Sequence, residues 1–183
     1  MGGTFDPIHN GHLILARDAR EALDFHKIIF VPNHISPHKL STSAAPAPLR
    51  AAMVRAAIEG EHGFELDEVE ILRGGPSYTI DTILHLRALY PDAELFYLIG
   101  EDNLAEFHTW RRVDELQLLV QLVVMARAAD GPPHPFITLR QRRIDISATE
   151  VRQRVAKGLS IRYLVPAKVR DIIEKNQLYR ETL

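Results

Sequence analysis

The sequence predicts an α/β fold, a parallel sheet flanked by helices, from two patterns that alternate along the chain. Short apolar runs rich in β-branched and aromatic residues are typical of buried parallel strands. Such runs occupy residues 27–31, 94–99 and 120–125. Apolar residues at three- and four-residue spacing, which predict amphipathic helices, occupy 11–23, 49–58 and 79–89. Strands that alternate with helices form sheets with right-handed crossovers and bind ligands at the carboxyl ends of the strands.

Two C-terminal helices carry start and stop signals. Ser147 and Glu150 have the spacing of a capping box, and Gly158 follows as the stop. A last helix opens with Pro166 in its first turn and offers apolar side chains from 169–173 to the core. These signals predict a C-terminal helical region behind the sheet.

Composition narrows the classes of protein to which the chain can belong. Its 183 residues carry 22 Lys+Arg against 24 Asp+Glu, a net charge of -2, so no global basic field attracts nucleic acid. No apolar run reaches the ~18 residues that a membrane span requires. Cysteine is absent, which excludes disulfides and thiolate chemistry and fits a cytoplasmic protein. We expect one domain over 1–183, with 127–143 assigned only as loop.

The sequence GGTFDPIHNGH at 2–12 is a glycine-rich loop that runs into a helix. Paired glycines let backbone come close to a ligand, and the free N–H groups of the helix start favour a phosphate. His9 and His12 are three residues apart, so both can face one anion, and that anion would favour their protonated forms. A structural turn, or a zinc pair that takes a third ligand elsewhere, would explain the same two histidines.

This loop resembles the signature of the nucleotidylyltransferase superfamily, in which the T/HxGH element binds the triphosphate of ATP. Four later segments, PNHISPHK, PSYT, GED and HTWRR, narrow the likeness, as does ISATEVR at 146–152. In this order and spacing they resemble the bacterial nicotinate-nucleotide adenylyltransferases over nearly the whole chain. The resemblance implies a Rossmann-like doubly wound parallel sheet with flanking helices.

The resemblance also implies a set of site residues. Those expected at ATP are Gly2, Gly3, Thr4, Phe5, His9, His12, Asp102, Ser147 and Arg152. Those expected at the mononucleotide are Lys39, Tyr78, Thr79 and Trp110. Those expected to take part in catalysis are His9, His12, Lys39 and Arg152.

Simple chemistry agrees with these roles and leaves alternatives open. The indole of Trp110 could stack on a pyridine ring, and the helix start at Tyr78 and Thr79 could hold a ring carboxylate. Trp110 could equally be a core or surface-anchored residue. Asp102 could accept from a ribose hydroxyl or simply cap a helix. Lys39 could contact phosphate or be an ordinary solvated lysine.

The implied reaction transfers the adenylyl group of ATP to nicotinate mononucleotide, giving nicotinate adenine dinucleotide and pyrophosphate. Mg²⁺ is expected to arrive with the ATP, and no dedicated protein metal site is expected. Phosphopantetheine or nicotinamide mononucleotide are alternative acceptors, and a non-catalytic nucleotide-binding module is a further alternative. We expect no nucleic acid and no membrane as partners, and the sequence gives no oligomeric state.

One feature departs from the family pattern. Members place a short apolar strand before GGTFDP, and here only Met1 precedes that loop. We therefore expect the first strand of the sheet to be missing, with exposed neighbouring strand edges, a loosened phosphate loop and low activity. A start codon placed too far downstream would explain such a sequence.

Overall fold

The fold is described from a computed structural model, which covers residues 1–37, 44–126, 134–140 and 142–180, without the side chain of Asp102. Six strands alternate with helices along these residues. The strands are β1 (Gly2–Gly3), β2 (Ile28–Pro32), β3 (Phe64–Leu66), β4 (Phe96–Gly100), β5 (Gln121–Ala126) and β6 (Ile137–Arg140). All of their pairings are parallel, which confirms the predicted fold class.

In the described part of the chain, eight α-helices connect and cover these strands. They are α1 (Asn10–Ala22), α2 (Ala47–Ile58), α3 (Val69–Arg73), α4 (Thr79–Leu89), α5 (Glu101–Leu104), α6 (Val113–Leu119), α7 (Ala148–Ala156) and α8 (Ala167–Lys175). A 3₁₀ turn at Phe107–Thr109 lies between α5 and α6. Within the described residues, no helix is long and apolar enough to cross a bilayer.

The strands form two ladders of three, β1-β2-β3 and β4-β5-β6. Two apolar clusters pack against the strands, and both include residues of β4 and β5. The first contains Leu98 and Val123 with Phe30, Met53 and Val169, and the second contains Ile99 and Val124 with Ile80 and Leu116. A cavity of about 650 Å³ lies between β2 and β4, the facing strands of the two ladders. The carboxyl ends of β1, β2 and β4 lead directly into the loops that carry the predicted site residues.

The long periodic segments agree with the sequence prediction to within two residues at most ends. Helix α4 has the predicted bounds, Ser147 caps α7 by accepting the Glu150 backbone N–H at 3.1 Å, and Gly158 ends that helix at φ +64. Pro166 is the N-cap of α8 rather than a residue of its first turn.

Two predictions about the sheet are wrong, at least in part. Residues 137–140, predicted as loop, form the edge strand β6, which is largely exposed and therefore lacks an apolar signal. The first strand is short rather than missing, because Gly2 and Gly3 pair with Val31 and Pro32 of β2. The expected exposure of neighbouring edges and the expected low activity stay predictions.

Candidate active site

Two stacked imidazoles lie at the N-terminus of α1. The rings of His9 and His12 are 3.7 Å apart between centroids and 23° from parallel. The backbone N–H of His9 donates to Nδ1 of His12 at 3.3 Å, so a neutral His12 carries its proton on Nε2. That tautomer leaves an N–H donor for an anion on the far side of the ring.

Burial makes both histidines neutral in the absence of an anion. It lowers the pKa of His9 to about 4 and the pKa of His12 to about 3, and the neighbouring His9 adds to the lowering at His12. Nδ1 of His9 is buried and has no hydrogen-bond partner among the described residues. The protonated pair expected from the sequence therefore requires an anion strong enough to overcome this desolvation.

Helix α7 is held against the same loop by Arg152. One guanidinium nitrogen of Arg152 donates to the carbonyl of Asp6 at 2.7 Å, and the other donates to Thr149 at 3.2 Å. Ser147, at the exposed start of the helix, has its oxygen engaged in the cap. We call His9, His12 and Arg152 the histidine face.

The paired glycines have a packing reason that the sequence did not reveal. A Cβ on Gly2 would come within 3.3 Å of the Tyr97 hydroxyl, and one on Gly3 within 3.1 Å of the Phe5 ring. Phe5 is buried, adopts φ +48, and packs its ring edge-on against His12 at 5.2 Å. Phe5 can therefore contribute to a nucleotide site only through its backbone.

A second feature is a cavity of about 530 Å³ beside the glycine loop, which we call the aromatic cavity. It brings together four segments that the sequence singled out separately. Its walls include Gly2, Gly3, Thr4, Ser77, Tyr78, Thr79, Trp110 and Arg111. Ser36 and Pro37, which follow β2, complete the wall, and Lys39 lies just outside the described residues.

Tyr97 of β4 links the two sides of this cavity. Its hydroxyl lies under Gly2, it lines the cavity together with Thr79, and its ring meets Trp110 edge to face at 5.7 Å. Burial raises the pKa of Tyr97 to about 12, so the phenol stays protonated. Trp110 also meets Phe107 at 5.3 Å and is half-buried, so its ring is anchored in the second core while it lines the cavity.

The loop after β2 docks on the start of α4. The backbone N–H of His34 donates to Ser77 Oγ at 2.9 Å, and Ile35 pairs with Pro76. Asp102 lies inside α5, whose N-cap is Gly100, so the alternative of Asp102 as a helix cap is wrong. Its predicted ribose contact stays a prediction.

Two residues that hold the site were missed by sequence reasoning. Arg50, 2% exposed, donates to the carbonyls of Thr4, Asn33, His34 and Ala45 at 2.7–2.9 Å. It shares the buried face of α2 with Met53 and Val54, and an arginine on an apolar face was the available signal.

Asp6 is the other missed residue. Its buried carboxylate accepts from Tyr179 Oη at 2.7 Å and from the Ala45 N–H at 3.1 Å. No sequence signal joins residues so far apart. Across the described ranges, no group of three His, Asp or Glu side chains could hold a metal ion.

Comparison with known proteins assigns the chain to a family. The cytidylyltransferase-like family model matches residues 1–154. The chain belongs to the cytidylyltransferase-like family.

A "probable nicotinate-nucleotide adenylyltransferase" of Geobacillus thermodenitrificans is 42% identical over 98% of this chain and 84% of its own length. One of Exiguobacterium sibiricum is also 42% identical, over 98% of this chain and 96% of its own length. Within the cytidylyltransferase-like family, these relatives place the chain with the nicotinate-nucleotide adenylyltransferases.

Solved structures share the fold of this family member. A nicotinic acid mononucleotide adenylyltransferase of Plasmodium falciparum, complexed with NaAD, has a TM-score of 0.75 at 18% identity. The structural match covers 97% of this chain and 94% of the Plasmodium falciparum chain. A putative nicotinate-nucleotide adenylyltransferase of Vibrio parahaemolyticus has a TM-score of 0.72 at 20% identity. The match covers 100% of this chain and 94% of the Vibrio chain.

Proposed function

We propose that this chain transfers the adenylyl group of ATP to nicotinate mononucleotide, giving nicotinate adenine dinucleotide and pyrophosphate in NAD biosynthesis. The observation that carries the proposal is the aromatic cavity, which joins the glycine loop to Tyr78, Thr79 and Trp110. It offers a flat aromatic side chain and a helix start beside a phosphate-type loop. The names of the relatives agree with that substrate pair.

The reaction makes modest chemical demands on the protein. An oxygen of the mononucleotide phosphate attacks the α-phosphorus of ATP, and the bond from that phosphorus to the pyrophosphate oxygen breaks. With a second pKa near ~6, the attacking phosphate is already mostly dianionic at neutral pH, so no general base is needed. Catalysis consists of aligning two anions and stabilising the charge that develops on the departing pyrophosphate.

The histidine face suits that second task. His12 offers Nε2–H, and the N-terminus of α1 adds the partial positive charge of its free N–H groups. Arg152 of α7 adds a full positive charge where it contacts the glycine loop, at the carbonyl of Asp6. The backbone of residues 2–5 leads from the histidines to the aromatic cavity. Lys39 would enter from the loop after β2 to bring the two phosphates together.

We expect Mg²⁺ to enter as part of the MgATP substrate, because a hard cation prefers phosphate oxygens. The described residues supply donors to phosphate but no cluster of carboxylates for a cation of their own. We further propose that residues 1–183 act as one catalytic unit in the cytoplasm, with ATP and the mononucleotide as its ligands and without nucleic acid or membrane.

Pyrophosphate release tests the proposal directly. Purified protein is given ATP or CTP as donor, and nicotinate mononucleotide, nicotinamide mononucleotide or phosphopantetheine as acceptor. We expect ATP with nicotinate mononucleotide to give the highest kcat/KM. Preference for CTP or for phosphopantetheine would overturn the assignment. Binding of ATP without turnover of any acceptor would favour a non-catalytic module.

A further inference from the structure

Arg111 is a cation at the aromatic cavity to which neither the sequence motifs nor the proposed mechanism gives a task. Its guanidinium carbon lies 4.7 Å from the centre of the Tyr78 ring, and its side chain is exposed. Such stacking on an aromatic ring holds the planar group in place without using its N–H donors.

The neighbouring arginine shows the contrast. Arg112 donates through two nitrogens to both oxygens of Glu115, at 2.6 and 2.7 Å. Arg111 makes no ion pair with any described carboxylate and no hydrogen bond to any described residue. One of two adjacent arginines is therefore neutralised, and the other keeps its charge and its donors for a ligand.

The position of Arg111 relates it to the ring of the mononucleotide. Trp110 contacts Tyr97, Tyr97 lines the cavity together with Thr79, and the adjoining Tyr78 carries Arg111 on its face. Because Arg111 follows Trp110 in the chain, these side chains belong to one part of the cavity wall. A pyridine stacked on Trp110 would therefore lie near Arg111.

Charge inside the cavity is distributed unevenly. Among the described residues of its wall, Arg111 is the only cationic side chain and Glu70 the only acidic one. Glu70 is buried and accepts from Thr82 Oγ1 at 2.5 Å. A ring substituent with negative charge is thus attracted towards Arg111 and repelled from Glu70, whereas a neutral amide gains little at either place.

We propose that the guanidinium of Arg111 pairs with the ring carboxylate of nicotinate mononucleotide and sets the preference for the acid over the amide. The inference rests on the proposed function, because it names the determinant of specificity within that site. A planar fork of N–H donors matches a carboxylate in a way that the helix start alone does not.

Trp110 provides the measurement, because it is the only tryptophan of the chain. Quenching of its fluorescence by nicotinate mononucleotide and by nicotinamide mononucleotide gives two dissociation constants, and their ratio is the selectivity. We expect Arg111→Leu to weaken binding of the acid about tenfold, as for an exposed charge-assisted pair, and to leave the amide within about twofold. Arg111→Lys keeps the charge without the fork and should retain an intermediate selectivity.

Arg112→Gln is the matched control, and it should leave both dissociation constants unchanged. Equal weakening of acid and amide by Arg111→Leu would overturn the inference, because it would assign Arg111 to the phosphate that both ligands share. No change in either constant would also overturn it. If the wild type released no pyrophosphate with either mononucleotide yet bound the acid in an Arg111-dependent way, the proposed function would fail and this inference would stand.

Discussion

The histidine face and the aromatic cavity are built by different means. At the histidine face, contacts come from remote parts of the chain: Asp6 is bound by Arg152 and Tyr179, at sequence separations of 146 and 173 residues. In the aromatic cavity, Tyr78, Tyr97 and Trp110 with Arg111 come from three segments within 34 residues and touch through aromatic rings, and Arg111 is exposed. Residues held by long-range contacts can keep charged groups in fixed positions. Exposed residues of an open cavity can be substituted, and the substrate specificity changed, with little loss of folding stability.

The largest expected effect is on the histidine face. His12→Ala removes the Nε2–H donor that faces the departing pyrophosphate, and kcat/KM should fall about 10²- to 10³-fold. His62→Ala, an exposed histidine with no contact that the structure describes, should retain wild-type turnover. Steady-state pyrophosphate release measures both, with thermal melting to show that each variant is folded. Near-normal turnover by His12→Ala would contradict the role given to this face.

The next effect tests how far that face depends on folding. Arg50→Leu leaves four partly buried carbonyls without their donor and should lower the free energy of unfolding by about 3 kcal/mol. Arg55→Leu on the same helix removes only an exposed pair with Glu68 and should cost less than about 1 kcal/mol. Urea unfolding gives both values, and similar costs for the two variants would show that Arg50 does not hold the loop.

The histidine pair also predicts how stability depends on pH. Burial keeps the pKa of His9 at about 4 and of His12 at about 3 in the folded chain, against the ordinary value of 6.5. The unfolded chain therefore takes up protons first as the pH falls below 6.5, and the folded state loses stability down to about pH 3.

Urea unfolding at a series of pH values, in the absence of nucleotide, compares the wild type with a variant carrying His9→Gln and His12→Gln. Between neutral pH and about pH 4, the wild type should lose several kcal/mol more than the variant, with an upper bound of about 6 kcal/mol. Parallel pH profiles would mean that folding does not lower the pKa values of the two rings.

The smallest expected effect lies in the aromatic cavity. Trp110→Ala removes a stacking surface, so KM for the mononucleotide should rise about tenfold while KM for ATP stays close to the wild-type value. Trp110→Phe keeps an aromatic ring, so its KM for the mononucleotide should lie between the values of the wild type and of Trp110→Ala. A change confined to ATP would show that the two subsites are exchanged.

Local patterns account for most of the fold that could be predicted. The helix α4 and the cap at Ser147 depend on residues close in sequence, so spacing was sufficient to find them. The strand β6 and the role of Arg50 depend on partners far along the chain, and local periodicity is silent about those. For the same reason, the sequence found Tyr78 and Trp110 as motif residues but missed Tyr97, which joins them.

What the sequence determined by itself is the class of chemistry: a glycine loop entering a helix with two histidines, and a later set of segments with the family's spacing. Only the tertiary structure decided that the two imidazoles are neutral at rest, because their burial comes from packing. It also decided that Arg112 is paired while Arg111 faces the cavity with its charge unpaired by any described carboxylate. Adjacent residues of one type are equivalent in a sequence, and only their neighbours in space make them different.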